Sequence, residues 1–383
     1  MSFRLDELLH ECLIAAATAQ RYVTRELLRI DPLKSTSADV VESIRARLQV
    51  QQKGALENKE GNPMDLVTEA DRHVQVIISR LLGARYSGAG SRGDVTLPFT
   101  LIGEEDISGV PCDAHDEAFR WCLDDIEDRK LRSINAIPGA DRIPTYLVEA
   151  NTISVFVDPI DGTNAFVEGV TEVPMTLIGI AVKGEPVAGV VNRIFTSWPA
   201  SLNFGIYSPR CSVTVIGGLP CAGPVRDLGT FSADSELSIT YSGTIKKSTL
   251  QPLFRQVSPM SFVPARGAGY KLMLLITGVV PTQTRQQQGM EKQAVCLAHP
   301  VHAFLAPDAA IRKWDVCAVH AMLRGYCGGE VLDWSGAVVR YDTLGLSKEG
   351  ASVLPTGIVA VRSALIRQQL ALRLKWMTVP SRL

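Results

Sequence analysis

Hydrophobic positions divide the chain into helical stripes and strand-length runs. Leu8, Leu9, Cys12, Leu13, Ala16, Val23 and Leu27 recur at helical spacing, which predicts an amphipathic helix over about 5–30 packed on the core. The stretch 31–62 is polar (Gln51-Gln52-Lys53-Gly54, Glu57-Asn58-Lys59-Glu60), and part of it reads as a mobile loop. Val67, Ala70, Val74, Ile77, Ile78 and Leu81 trace a second helical face, with Thr68 and Asp71 at capping-box spacing near its start. Asp65 stands just before that helix, in an irregular segment free to face a cleft or solvent. Residues 99–103 read as a strand ending at Glu104-Glu105-Asp106, and 153–157 as a buried β-branched strand. Residues 175–182, a turn at Lys183-Gly184-Glu185-Pro186 and 187–194 read as an antiparallel hairpin. A strand over 303–306, a helix from Lys313, strands near Val331, Val338 and 358–361, and a helix reaching about Leu374 complete the pattern.

Between these elements lie segments without periodicity. Residues 107–150 read as a charged insertion with one helix, 249–254 as helical, and 281–300 as an inserted polar loop. Around 200–230 the composition shifts to Gly, Pro, Ser and Cys, which suggests a boundary dividing the chain into 1–205 and 206–383. A length of 383 residues suits one large or two ordinary domains of roughly 100–200 residues each. No internal repeat is visible.

Charge narrows the partners. Lys plus Arg number 39 and Asp plus Glu 40, a net charge of −1, which argues against nucleic acid or an anionic membrane as the main partner. The eight cysteines form no C-x-x-C pair and read as reduced thiols. No stretch reaches transmembrane length, and the acidic N-terminal residues do not suit a secretory signal. The final Ser381-Arg382-Leu383 is similar to the S-K-L peroxisomal address, so a peroxisome-like organelle is expected, with the cytoplasm as the alternative.

The chemistry concentrates at Val157-Asp158-Pro159-Ile160-Asp161-Gly162-Thr163. A buried strand stops at a carboxylate, Pro159 is expected to turn the backbone, and a second carboxylate follows. Gly162 allows close approach of a ligand and Thr163 adds a hydroxyl. Two carboxylates this close at a strand end are costly without a cation between them, and oxygen-rich sites suit Mg²⁺. A solvated acidic turn is the alternative. Glu104-Glu105-Asp106 raises the same question. Asp315 falls in the first turn of its helix, where the dipole favours negative charge. Arg266-Gly267-Ala268-Gly269-Tyr270-Lys271 opens an apolar stretch, a glycine loop of the kind that holds anions.

Gly103-Glu104-Glu105-Asp106, Asp158-Pro159-Ile160-Asp161-Gly162-Thr163 and Trp314-Asp315-Val316-Cys317-Ala318, in this order, resemble segments of the Mg²⁺-dependent, lithium-inhibited phosphomonoesterases. That group includes inositol monophosphatase, inositol polyphosphate 1-phosphatase, bisphosphate nucleotidase and, more distantly, fructose 1,6-bisphosphatase. The resemblance runs from about Asp65 to about Leu370. Gly267 to Lys271, Cys317-Ala318 with His320-Ala321, and Lys348-Glu349-Gly350-Ala351 are similar to the inositol polyphosphate 1-phosphatase branch. Asp161-Gly162-Thr163 with Glu168-Gly169, and Leu177-Ile178-Gly179-Ile180-Ala181, are nearer the bisphosphate nucleotidases.

The resemblance implies an α/β (α+β) fold, a layered αβαβα sandwich. Metals would lie between an N-terminal α+β domain (1–205) with most ligands and a C-terminal α/β domain (206–383) with the recognition loops. Glu104, Asp158 and the carbonyl of Ile160 would hold one Mg²⁺; Asp158, Asp161 and Asp315 a second; a third, weaker ion would lie near Asp65 and Glu104. Thr163 would orient the attacking water with Asp65 as proton acceptor, and the Gly162 and Thr163 N–H groups would hold the phosphate. Thr240, Ser242, Gly267 and Lys271, with Lys246, are the expected substrate contacts. The leading expectation is removal of the 1-phosphate from inositol 1,4-bisphosphate or inositol 1,3,4-trisphosphate. The alternatives are a 3′(2′),5′-bisphosphate nucleotidase and a catalytically silent binding protein. The partner is a small phosphorylated molecule; oligomeric state is not legible.

Overall fold

The protein is described by a computed structural model over residues 2–31, 34–48, 50–52, 66–86, 97–107, 139–208, 211–221, 236–242, 255, 260–278, 301–307 and 310–374. The chain begins with β1 (Ser2–Arg4) and α1 (Leu5–Arg21), continued by a π-helical turn over Tyr22–Leu27. Next come α2 (Ser37–Arg47), β2 (Val50–Gln52), β3 (Leu66–Thr68) and α3 (Glu69–Tyr86). There follow β4 (Thr100–Gly103), β5 (Leu147–Glu149), β6 (Ile153–Asp161), α4 (Thr163–Val167), β7 (Met175–Val182), β8 (Glu185–Arg193), β9 (Leu202–Ser208), β10 (Cys211–Ile216) and β11 (Leu219–Pro220). The later part forms β12 (Leu237–Ser242), β13 (Met260–Ala265), α5 (Ala268–Thr277), β14 (Ala303–Ala306), α6 (Lys313–Cys327), β15 (Glu330–Asp333), α7 (Lys348–Ser352), β16 (Ile358–Val361) and α8 (Ala364–Leu374).

Among the described residues, a seven-stranded sheet has the order β11-β10-β9-β8-β7-β6-β4 and a five-stranded sheet the order β13-β12-β14-β16-β15. Three apolar layers separate five layers of structure, as the αβαβα expectation requires. In the first, α1 and α3 bury Leu5, Leu8, Leu9, Leu13, Val74, Ile77 and Ile78 against Val155, Val157, Ile178 and Val190 of the large sheet. Each fully buried leucine or isoleucine contributes about 1.5–3 kcal/mol relative to exposure, so α1 is fixed by its stripe rather than by caps. In the second layer, α5 and α6 lie between the two sheets, with Leu272, Leu275, Val316, Val319 and Met322 against Phe156, Leu177, Val191 and Phe304. In the third, Ile366 and Leu370 of α8 close the outer face of the small sheet.

A row of glycines sets how closely α6 approaches the large sheet. Gly179 of β7 pairs with Gly189 of β8, which pairs with Gly205 of β9. A Cβ on Gly179 would meet Ala318 N at 2.6 Å, one on Gly189 the Ala318 Cα at 2.6 Å, and one on Gly205 the Met322 side chain at 3.3 Å. Close packing leaves no slack for such groups. The far half of α6 is pinned by polar contacts. His320, fully buried, has Nδ1 2.9 Å from the Tyr341 hydroxyl and Nε2 2.9 Å from Glu330 Oε2. Arg324 donates to Glu330 at 3.1 Å and to Glu185 at 2.7 Å.

Several expectations change. Part of the polar stretch after residue 30 is the helix α2, started by a capping box in which Thr36 N donates to Asp39 Oδ2 at 2.7 Å and Asp39 N to Thr36 Oγ1 at 3.3 Å. Val67 lies on β3 rather than on the helix that follows. Pro159 does not end its strand: β6 runs on to Asp161, and the proline sits where the register with β7 shifts between Asp158 and Asp161. A bulge is where a central strand tolerates a residue without an N–H. The large sheet also continues across the 205/206 boundary, because β10 pairs with β9 and β11 with β10. Val338 makes only an isolated bridge to Leu332. The helices expected within 107–150 and at 249–254, the loop at 281–300 and Ser381-Arg382-Leu383 lie outside the described residues, apart from the ends of the first of these segments. No helix among the described residues is long and apolar enough to cross a membrane.

Candidate active site

Strand direction brings the acids together. β4 and β6 run parallel with Gly103 opposite Val157, so the next residues, Glu104 and Asp158, emerge at the same end of neighbouring strands. Glu104 N donates to Val157 O at 2.9 Å, which carries the pairing one residue further. The glycine row seats α6 with its first turn at this end, and Asp315 Oδ2 accepts Arg312 N at 2.6 Å. Carboxylate oxygens of Glu104, Asp158 and Asp315 all lie within 4.8 Å of one another.

These residues fit a divalent cation. Asp158 is 2% exposed, and its Oδ1 is buried without a hydrogen-bond partner. Burial, followed by the charges of Glu104, Asp161 and Asp315, pushes the Asp158 carboxyl well above the usual carboxylate range. Burial and the charges of Glu104 and Asp161 do the same to Asp315. Hard oxygen donors, an orphaned oxygen and uncompensated negative charge are what an oxygen-loving ion satisfies.

Asp161 stands close enough for its charge to act on Asp158 and Asp315, and it also has a structural task. Its Oδ1 accepts Ala268 N at 3.0 Å and its Oδ2 faces Tyr270 N at 3.4 Å, so it caps α5 and is not among the three clustered acids. Burial raises its pKa to about 6, opposed by the backbone N–H groups of α5 and by the Lys271 charge. The two glycine turns meet beside it. Gly162 and Gly267 both have positive φ, +83° and +68°, and a Cβ on Gly267 would meet Asp161 Oδ2 at 2.8 Å and Val173 at 2.9 Å.

The hydroxyl of Thr163 lies 3.0 Å from both the Ile160 carbonyl and Asp71 Oδ1. Asp71 is therefore the carboxylate that faces Thr163 among the described residues, where the sequence pointed to Asp65. Asp65 itself lies outside them. Asp71 does form its expected cap, since Thr68 N and Oγ1 reach its Oδ2 at 2.8 and 2.5 Å, but its other oxygen is spent on Thr163. Burial raises its pKa to about 6, against the Thr68 bonds and with the Glu104 charge adding to the rise. A signal was present: Asp71 precedes Val74 and Ile78 at helical spacing, so it lies on the buried stripe of α3.

The expected substrate contacts fall unevenly. Thr240 is fully buried in the middle of the small sheet, between Val263 and Phe304. Lys271 is 4% exposed, with Nζ 4.9 Å from the centre of the Phe304 ring, and its charge acts on Asp161. Ser242 ends β12, its side chain and all of Lys246 being outside the described set.

Residues 29–371 match the sequence pattern of the inositol monophosphatase family. The chain belongs to that family. It is 29% identical over 206 residues to inositol monophosphatase 3 of Danio rerio, covering 52% of this chain and 50% of that protein. To 3′(2′),5′-bisphosphate nucleotidase 1 of Homo sapiens it is 25% identical over 292 residues, covering 76% of this chain and 79% of that one. The chain thus spans about half the length of some of the curated relatives it matches, the zebrafish protein among them. The solved structure of extragenic suppressor protein suhB from Bartonella henselae is similar with a TM-score of 0.53 at 18% identity, covering 96% of this chain and 98% of that one. An IMPase of Thermotoga maritima gives 0.52 at 13% identity, covering 98% and 100%. These likenesses place the layered architecture in the fold of that family.

Proposed function

We propose that the protein is a Mg²⁺-dependent phosphoric monoester hydrolase that removes one phosphate from a small molecule carrying two or three phosphates. The observation that carries this reading is the convergence of Glu104, Asp158 and Asp315 within 4.8 Å beside the Thr163–Asp71 pair. A divalent ion held there would supply charge neutralisation for phosphate oxygens and would lower the pKa of a water. Glu104 and Asp158 would provide its ligands from the large sheet and Asp315 from α6, with the Ile160 carbonyl and Asp161 as further oxygen donors if more than one ion binds. Thr163 Oγ1 would accept a hydrogen bond from the attacking water and pass its own proton toward Asp71 Oδ1, 3.0 Å away. The N–H groups of Gly162 and Thr163 hold the phosphate, while Asp161 ties the Gly267 turn to that position through Ala268.

Two substrates fit this reading. Gly267 to Lys271 and Lys348-Glu349-Gly350-Ala351 favour the 1-phosphate of inositol 1,4-bisphosphate or inositol 1,3,4-trisphosphate. The similarity to human bisphosphate nucleotidase over 76% of the chain favours adenosine 3′,5′-bisphosphate, converted to AMP. Phosphate release from both classes at equal concentration, with and without Mg²⁺, tests the proposal. Release that needs Mg²⁺ and vanishes in Asp158→Ala is the expected result. Full activity in Asp158→Ala, or no release from any phosphomonoester, would overturn it.

A further inference from the structure

One short segment of the later half of the chain touches both turns that carry the clustered acids. Lys348 Nζ donates to Glu104 O at 3.1 Å and to Glu105 O at 3.1 Å, reaching across 244 residues of sequence. Lys348 opens α7, whose start is fixed because Ser347 Oγ accepts Gly350 N at 3.2 Å. Ala351, 1% exposed, anchors the helix in the middle apolar layer. At its far end, Val353 forms a β-bridge with Arg312, the residue whose N–H donates to Asp315. Residues 347–353 therefore hold the Glu104–Glu105 turn with one end and the Arg312–Asp315 turn with the other.

We propose that Lys348 is a positioning residue for the cation site, and that 347–353 acts as a strap setting the spacing between the Glu104 and Asp315 carboxylates. The inference rests on the reading of Glu104, Asp158 and Asp315 as cation ligands. Three converging carboxylates repel one another, and Glu104 sits on a turn at a strand end, where the backbone yields most easily. The turn's N–H side is tied by Glu104 N to Val157 O. Lys348 ties its carbonyl side, and does so with a cation, so two backbone dipoles point at positive charge while the carboxylate points at its fellows. Hydrogen bonds from a charged donor are stronger than neutral ones. The strap thus prepays part of the ordering that ion binding would otherwise have to supply. An ordinary surface lysine resting on carbonyl oxygens would have the same look, and the two differ in what its removal does to ion affinity.

The test is isothermal titration of Mg²⁺ into the chelator-treated full chain, without substrate, alongside its melting curve. Lys348→Met should weaken Mg²⁺ binding about five- to tenfold, with the metal-free melting midpoint close to that of the unaltered protein because the side chain lies at the surface. Lys348→Arg, which keeps the charge and two donors, should restore most of the affinity. Lys34→Met removes an exposed lysine paired with Asp31 at 3.5 Å and should change nothing. Unaltered affinity in Lys348→Met beside normal binding by the parent would overturn the strap alone. So would a loss in Lys348→Arg equal to that in Lys348→Met, a comparison that still decides if the methionine variant folds poorly. A parent protein that binds no Mg²⁺ would overturn the cation reading, and the strap with it.

Discussion

Removing the divalent ion should make the protein less stable as pH rises, and Asp71 gives the cleanest measure. In the metal-free fold Asp71 holds its proton up to about pH 6, while in the unfolded chain it releases it near 3.8. Between those values the native state binds more protons than the unfolded state, so stability falls with rising pH. The gap from 3.8 to about 6, at about 1.4 kcal/mol per pH unit, amounts to about 3 kcal/mol in all. Roughly half of it falls between pH 5 and 7.5. Asp158, Asp161 and Asp315 push in the same direction. His320 pushes the other way, because burial lowers its pKa despite Glu330, and the native state gives up its proton first. The difference between the parent and Asp71→Asn removes this background. Asparagine still accepts from Thr68 through its carbonyl oxygen. Urea unfolding in EDTA at pH 5 and 7.5 should show the parent losing about 1.4 kcal/mol more than Asp71→Asn over that interval. Saturating Mg²⁺ should flatten or reverse the parent's slope, since ligation favours the ionised acids. Equal slopes for the two proteins in EDTA would refute the argument that Asp71 is a buried carboxyl with a raised pKa.

Two further outcomes follow from the geometry. Thr163→Val removes the hydroxyl 3.0 Å from Asp71 and should lower phosphate release at least about a hundredfold while calorimetric Mg²⁺ affinity stays within about twofold; equal losses in both would make Thr163 a structural residue. Gly189→Ala sets a methyl group 2.6 Å from the Ala318 Cα and should cost about 1–3 kcal/mol in urea unfolding and weaken Mg²⁺ binding, since α6 carries Asp315; a variant with parental stability and affinity would show that the helix has room to move.

Much of this arrangement is legible in the residues. The apolar β-branched run before Asp158, the 175–194 hairpin, the stripe of α1 and the helix from Lys313 all carry periods that match what they form. What escaped has physical reasons. Thr36 and Asp39 have the same spacing as Thr68 and Asp71, yet α2 lacks a strong apolar stripe to announce a helix beyond its cap. β10 and β11 lie in a stretch whose glycines and prolines look like linker, and only their pairing with β9 reveals them. β1 pairs with β5 across more than a hundred residues, which no local pattern encodes. The second role of Asp71 was hidden because a capping carboxylate satisfies one local explanation with one oxygen, while its other oxygen meets Thr163, 92 positions further along the chain.

The central claim is that carboxylates from both halves of the chain share a divalent ion. Crystals soaked in Mn²⁺, an ion with the same preference for oxygen donors, answer it through anomalous scattering. The account predicts an anomalous peak at bonding distance from carboxylate oxygens of Glu104, Asp158 and Asp315 together. Manganese bound elsewhere in the crystal, with no peak among those three side chains, would contradict it.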